Sequence, residues 1–118
     1  MLDGEDFEAR SADLLELQGL QVLQRRFRSR AGEIDLIALD GDCLVFIEVR
    51  ARRSRRFGGA MASVDRKKQC KIAKCAAYYL SRHPQWRSLA CRFDVIAWEG
   101  DQDTQRVRPH WIRGAFNT

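Results

Sequence analysis

Two nearly continuous apolar stretches, Gly32-Glu33-Ile34-Asp35-Leu36-Ile37 and Val45-Phe46-Ile47-Glu48-Val49-Arg50, stand either side of Asp40-Gly41-Asp42. Apolar residues at successive positions fit a strand buried on both faces, and Asp-Gly between two such runs signals a tight hairpin. The pair is therefore expected inside a sheet, with residues 33–39 and 43–50 as its strands. Each strand is interrupted by a carboxylate. Burying an unpaired charge costs several kcal/mol in practice, so Asp35 and Glu48 are expected to meet something positive. A divalent metal ion is the leading candidate. An internal ion pair with Arg50 or a nearby arginine is the structural alternative.

The rest of the chain limits what can surround this hairpin. At 118 residues with 45% hydrophobic and 31% charged side chains, one globular domain spanning 1–118 is expected. No stretch reaches the ~20 apolar residues of a membrane span. The start, Met1-Leu2-Asp3-Gly4-Glu5-Asp6, lacks the basic and apolar pattern of a leader, so a cytoplasmic protein without a membrane partner is expected. Cys43, Cys70, Cys75 and Cys91 include no Cys-x-x-Cys pair, which favours reduced thiols over a zinc site.

Charge is distributed unevenly. Residues 1–20 hold six acids against Arg10. From Arg50 to Lys74 there are ten cations (Arg50, Arg52, Arg53, Arg55, Arg56, Arg66, Lys67, Lys68, Lys71 and Lys74) against Asp65 alone, and Arg25, Arg26, Arg28 and Arg30 form a second cluster. A balanced charge run is usually just a solvated face. This one has few carboxylates to pair with, and a polyanion is its natural partner.

Residues 3–18 read as a helix with Phe7, Ser11, Leu14, Leu15 and Gln18 on one face and Gly19 as its stop. Gln21 to Arg28 alternates like an edge strand. Residues 51–62, with Gly58-Gly59, read as a mobile loop. A second helix is expected over 64–82, capped by Ser63 and ended before Pro84, with Gln69, Ile72, Ala73, Ala76, Tyr79 and Leu80 inward. Residues 91–98 form a fourth strand and 105–112 a short fifth. The order αβββαβ implies an α/β fold with a mixed sheet flanked by helices.

Side chains alternate along a strand, so Glu33 and Asp35 share one face, as do Glu48 and Arg50. A hairpin register that joins these faces sets an acidic pair beside a fixed cation. Mg²⁺ or Mn²⁺ suits such a site, taking one or two carboxylates and keeping waters that a phosphate displaces. Glu33, next to Gly32, could equally be an exposed turn residue. Asp94 reads as either core-satisfied or a turn partner. Trp86, Trp98 and Trp111 read as packing residues rather than base-stacking platforms.

Gly4-Glu5-Asp6, the two acid-bearing strands, Lys67-Lys68-Gln69 and Cys91-Arg92-Phe93-Asp94-Val95 together resemble the bacterial YraN-like family. The resemblance covers nearly the whole chain. That largely uncharacterised family is similar to archaeal Holliday-junction resolvases and to restriction-endonuclease-like nucleases. The resemblance implies a nuclease-like αβββαβ domain acting on DNA, with branched or structured DNA and repair or recombination as its setting. In such nucleases an Asp and a Glu-x-Lys hold the metal and assist water, with a Glu from the first helix. Asp35 and Glu48 match the first two positions. Arg50 stands where the lysine would be, and a guanidinium stays protonated, so it can stabilise phosphate charge but not act as a base. Lys67 or Lys68 could supply an amine instead, though nothing in the sequence places either there.

The helix acid is Glu5 by the family pattern. Helical geometry favours Glu8, about 100° from Phe7 against about 160° for Glu5. Gln69 resembles a helix glutamine of related nucleases and could equally make a structural hydrogen bond. A homodimer is implied by the resolvase resemblance, since two symmetric cuts need two sites. Arg52, Arg53, Arg55, Arg56, Arg66, Lys67, Lys68 and Lys71 are the expected backbone contacts. Three readings follow: a metal-dependent endonuclease, a nucleic-acid-binding module without chemistry, and an adaptor whose basic loop meets an acidic protein.

Overall fold

The computed structural model describes residues 6–52, 63–100 and 106–117. The described elements are α1 (Phe7–Leu17), β1 (Gln21–Ser29), β2 (Gly32–Asp40), β3 (Cys43–Arg52), α2 (Arg66–Arg82), β4 (Ala90–Gly100) and β5 (Val107–Phe116), with a 3₁₀ turn at Pro84–Trp86. The αβββαβ order expected from the sequence is present, extended by β5. The strands form one sheet in the order β1-β2-β3-β4-β5. β3 and β4 run parallel, and the other neighbours are antiparallel. A parallel pair needs a long crossover, which here carries α2.

The hairpin forms as its composition dictates. Asp40 pairs with Cys43 across a two-residue loop, and Gly41 takes the positive φ of 59° that a loop this short favours. Val45, Ile47, Leu36 and Ala38 pack with Phe7, Ala12 and Leu15 of α1. Ile37, Leu44 and Phe46 pack with Ile72, Cys75, Ala76 and Tyr79 of α2. The central strands are thus covered on both faces, and each large side chain so buried contributes about 1.5–3 kcal/mol.

Details of the helices differ from expectation. The N-cap of α2 is Asp65, whose carboxylate accepts from Lys68 N at 2.9 Å, in place of Ser63. Along α2, Ile72, Cys75, Ala76 and Tyr79 are buried at i, i+3, i+4 and i+7 spacing. Ala73 and Leu80 are only half-buried, and the inward Cys75 was not expected. In α1 the buried set is Phe7, Ser11, Ala12 and Leu15, while Gln18 is exposed. Ser11 is there because its hydroxyl accepts from Trp98 Nε1 at 2.8 Å. β5 runs on to Phe116, well beyond the strand read at 105–112. The loop expected at 51–62 begins later, as Ala51 and Arg52 belong to β3; its residues from 53 to 62 lie outside those described.

One distortion positions the site. Residues two apart in a regular strand share a face, yet Leu36 packs on the α1 side and Ile34 on the α2 side. Their β1 partners do the same: Arg25 pairs with Leu36 and reaches Glu8 of α1, while Phe27 pairs with Ile34 and meets the Tyr79 ring edge to face. Between these pairs lie Arg26 and Asp35. Arg26 has a φ of 53°, uncommon for a side chain with a Cβ. The faces of both strands exchange at this point.

Candidate functional site

The pairing of β2 with β3 runs from Asp40↔Cys43 to Leu36↔Ile47 and stops. Beyond it β3 continues alongside β4, from Glu48↔Val95 to Arg52↔Glu99, while β2 stays with β1. The two central strands part at the residues that carry the acids. Parting frees backbone donors of β3, and Asp35 Oδ2 takes up one of them, accepting from Val49 N at 2.7 Å. The carboxylate substitutes for the missing strand partner.

The Asp35 and Glu48 carboxyls are neighbours, and each acts on the other's titration. Glu48 is only 4% exposed. Burial pushes its carboxyl up to about 8, and the neighbouring Asp35 charge adds to the rise; Arg50 and Lys68 oppose it without cancelling it. Asp35 is raised as well, first by burial, with the charges of Glu8 and Glu33 adding and the bonds from Glu48 and Val49 opposing. Two desolvated carboxyls in contact cannot both ionise cheaply, so near neutral pH the pair holds a proton.

Two cations border the pair. Arg50 Nη2 lies 2.8 Å from Glu48 Oε2, and Lys68 Nζ lies 3.6 Å from the same oxygen. Arg50 sits two residues after Glu48 on the same face of β3. Its Nε is buried without an acceptor, although a buried donor normally has one. Lys68 comes from the first turn of α2. Of the two lysines that could bring an amine to the site, it is the one that reaches it, whereas Lys67 is exposed. Lys68 was expected chiefly as a backbone contact, because its approach depends on how α2 packs on the sheet.

Of the other residues singled out from the sequence, the described ones make other contacts. Glu8 is paired with Arg25 at 3.0 Å and with Arg26 at 3.2 Å, so it acts on Asp35 through its charge and not by contact. Glu5, Arg53, Arg55 and Arg56 lie outside the described residues. Glu33 pairs with Arg28 across β1 and β2 at 3.1 Å. Gln69 Nε2 donates to Val64 O at 3.1 Å, a bond that ties the entry to its own helix. Arg52 Nη1 donates to Ala51 O, while Arg66, Lys67, Lys71 and Lys74 are exposed along α2. Asp94 is a core residue: fully buried, it accepts from Arg92 Nε, Trp111 Nε1 and Gly114 N. Among the described residues no group of three His, Cys, Asp or Glu side chains is assembled as a metal cluster. Likewise, no described helix is long and apolar enough to cross a membrane.

Relatives of the chain share nearly its whole length. Proteins from Alcanivorax borkumensis and Halorhodospira halophila, each named UPF0102 protein, are both 48% identical over 113 residues. These matches cover 96% of this chain and 90% and 85% of the relatives. A UPF0102 protein of Aeromonas hydrophila is 49% identical over 114 residues, covering 96% of this chain and 83% of its own. The family model described as uncharacterised protein family UPF0102 matches residues 7–98, a span holding α1, the first four strands to Trp98, and α2. On this match and these relatives, the chain belongs to the UPF0102 family.

Proposed function

We propose that this protein is a metal-dependent nuclease that cuts phosphodiester bonds in DNA, with Asp35 and Glu48 as the metal-holding pair. The observation that carries this reading is the juxtaposition of the buried Glu48 carboxyl with the half-buried Asp35 carboxyl where β2 and β3 part, with Glu48 pushed up to about 8. A fold gains little from pressing two like-charged groups together in its interior, whereas a site for a doubly charged cation requires it. The donor set fits: carboxylate oxygens are the ligands of Mg²⁺ and Mn²⁺, which take one or two of them and fill the rest of the shell from water and substrate. Bound there, such an ion would polarise the phosphodiester and make water a stronger nucleophile.

The chain's own residues supply the remaining functions. The Val49 N–H fixes Asp35 Oδ2 and so holds its carboxylate in one orientation. Arg50 is a fixed cation beside Glu48 and can stabilise phosphate charge through its guanidinium. Lys68 is a compact second cation at the same carboxylate, carried by a different element. The exposed cations of α2 extend the positive surface from this point, with branched or otherwise structured DNA as the substrate class suggested by the resemblance.

A second reading, a DNA-binding protein without chemistry, is favoured by one observation: Arg50 already occupies Glu48 Oε2 at 2.8 Å, where the motif would carry an amine. One assay separates the two. Linear, flapped and four-way DNA are incubated with Mg²⁺ or Mn²⁺ and the wild type, Asp35→Asn or Glu48→Gln. Cleavage by the wild type that both variants lose by at least about 100-fold is expected. Undiminished cleavage by both folded variants would refute the assignment, and salt-sensitive binding without cleavage under any metal would favour the second reading.

A further inference from the structure

Beside the carboxylate pair, the β1–β2 turn and the first half of α2 enclose an open cavity of about 520 Å³. Arg28, Arg30, Lys68 and Lys71 line it against one acid, Glu33. Glu33 is taken up by Arg28, so among the described residues no ion pair engages Arg30 or Lys71, and both are exposed. Lys68 belongs to this cavity and also lies 3.6 Å from Glu48 Oε2. One lysine therefore links the cavity to the pair.

The cavity wall is held in place. Ser29 pairs with Gly32 across a two-residue turn, Arg30-Ala31. Ser29 Oγ accepts from Ala31 N at 3.2 Å and bonds Cys75 Sγ at 3.2 Å, while Cys75 Sγ donates to Gly32 O at 3.5 Å. The buried thiol of Cys75 thus pegs the turn to α2 from below. Gly32 holds a φ of 153°, which a residue with a side chain adopts only under strain. A concave surface with fixed backbone, surplus positive charge and no internal counter-ion for two of its cations has the character of an anion site.

We propose that this cavity binds a backbone phosphate of the DNA strand, through Arg30 and Lys71, next to the phosphate that faces Asp35 and Glu48. The inference rests on the nuclease reading for its choice of DNA, but it assigns a contact to the β1–β2 turn that the chemistry at the pair does not require. Phosphate contacts of this kind position a strand without reading its sequence. They also set the salt dependence of binding, with a log–log slope of about 0.9 for each duplex phosphate neutralised.

The test measures binding of a fluorescein-labelled DNA duplex and four-way junction in EDTA, from about 50 to 200 mM KCl, with cleavage assayed in parallel. Wild type, Arg30→Ala/Lys71→Ala and the charge-retaining Arg30→Lys/Lys71→Arg are compared after thermal melts establish that all three are folded. The expected result is a slope shallower by about 0.9 in the alanine variant, with affinity reduced about tenfold or more, and recovery in the charge-retaining variant. An unchanged slope in the folded alanine variant overturns the cavity assignment and leaves the nuclease reading standing. A slope that depends on the cavity, in a protein that cuts nothing, keeps the assignment and removes the nuclease. A wild type that binds no DNA at the lowest salt overturns both.

Discussion

Replacing Glu48 by glutamine should remove most of the pH dependence of this protein's stability between about pH 5 and 8. In the folded, metal-free protein the Glu48 carboxyl titrates near 8, against 4.5 for an ordinary glutamate. Between those values the folded state keeps a proton that the unfolded state has released. Stability is therefore fully present below about 4.5 and is lost as pH rises towards 8. At about 1.4 kcal/mol per pH unit the whole span amounts to a ceiling of about 5 kcal/mol. Asp35, also raised, acts in the same direction. With a urea m-value of about 1–2 kcal/mol/M, the unfolding midpoint should fall by roughly 2 M or more over this range. The assay is urea denaturation in EDTA at pH 5, 6.5 and 8, for wild type and Glu48→Gln. Glutamine mimics the protonated acid, so its midpoints should lie close together. Asp35→Asn removes the like charge and should bring the upper end of the wild-type transition back towards the ordinary range. A wild-type midpoint that is flat or rises from pH 5 to 8 would refute the shared-proton description of the pair. Asp6, whose carboxyl is lowered by the Ala9 N–H, acts with the opposite sign but below this range.

Two further outcomes test the frame around the site. Asp94→Ala removes the acceptor for Arg92, Trp111 Nε1 and Gly114 N at a fully buried position, and should cost about 3–5 kcal/mol in urea denaturation. Arg26→Val places a branched side chain at a φ of 53° and should destabilise by about 1–2 kcal/mol, whereas Arg26→Asn, which tolerates that conformation, should stay within about 0.5 kcal/mol of wild type.

The strand order and the hairpin were legible because they depend on short-range pattern: a double-faced apolar run, a turn dipeptide, another run. The approach of Asp35 to Glu48 was also expected, though by a simple alternation argument that omits what happens at Arg26 and Asp35. The exchange of faces there comes from packing, with Phe27 drawn to Tyr79 and Arg25 to Glu8. No periodicity in β1 or β2 encodes that. Glu8 shows the same limit. Its helical angle identified it as an inward acid, but the arginines that engage it are 17 and 18 residues away. Lys68 and Cys75 depended on which face α2 turns to the sheet, and an inward stripe drawn through Ala73 and Leu80 misplaced both. Long-range pairing and helix phase are settled by the assembled core, and residues read one segment at a time do not contain them.

The parting of the two central strands also has a kinetic consequence. Asp35 and the start of β3 come together through a local hairpin, but the residue beside Glu48 in the sheet, Val95, is 47 positions further along the chain, and Lys68 arrives from the intervening helix. The burial that lifts the Glu48 carboxyl therefore rests on long-range contacts, which close more slowly than a hairpin. Kinetics shows which limb carries the pH effect: contacts made after the folding barrier place it in the unfolding rate, and contacts made at the barrier place it in the folding rate as well.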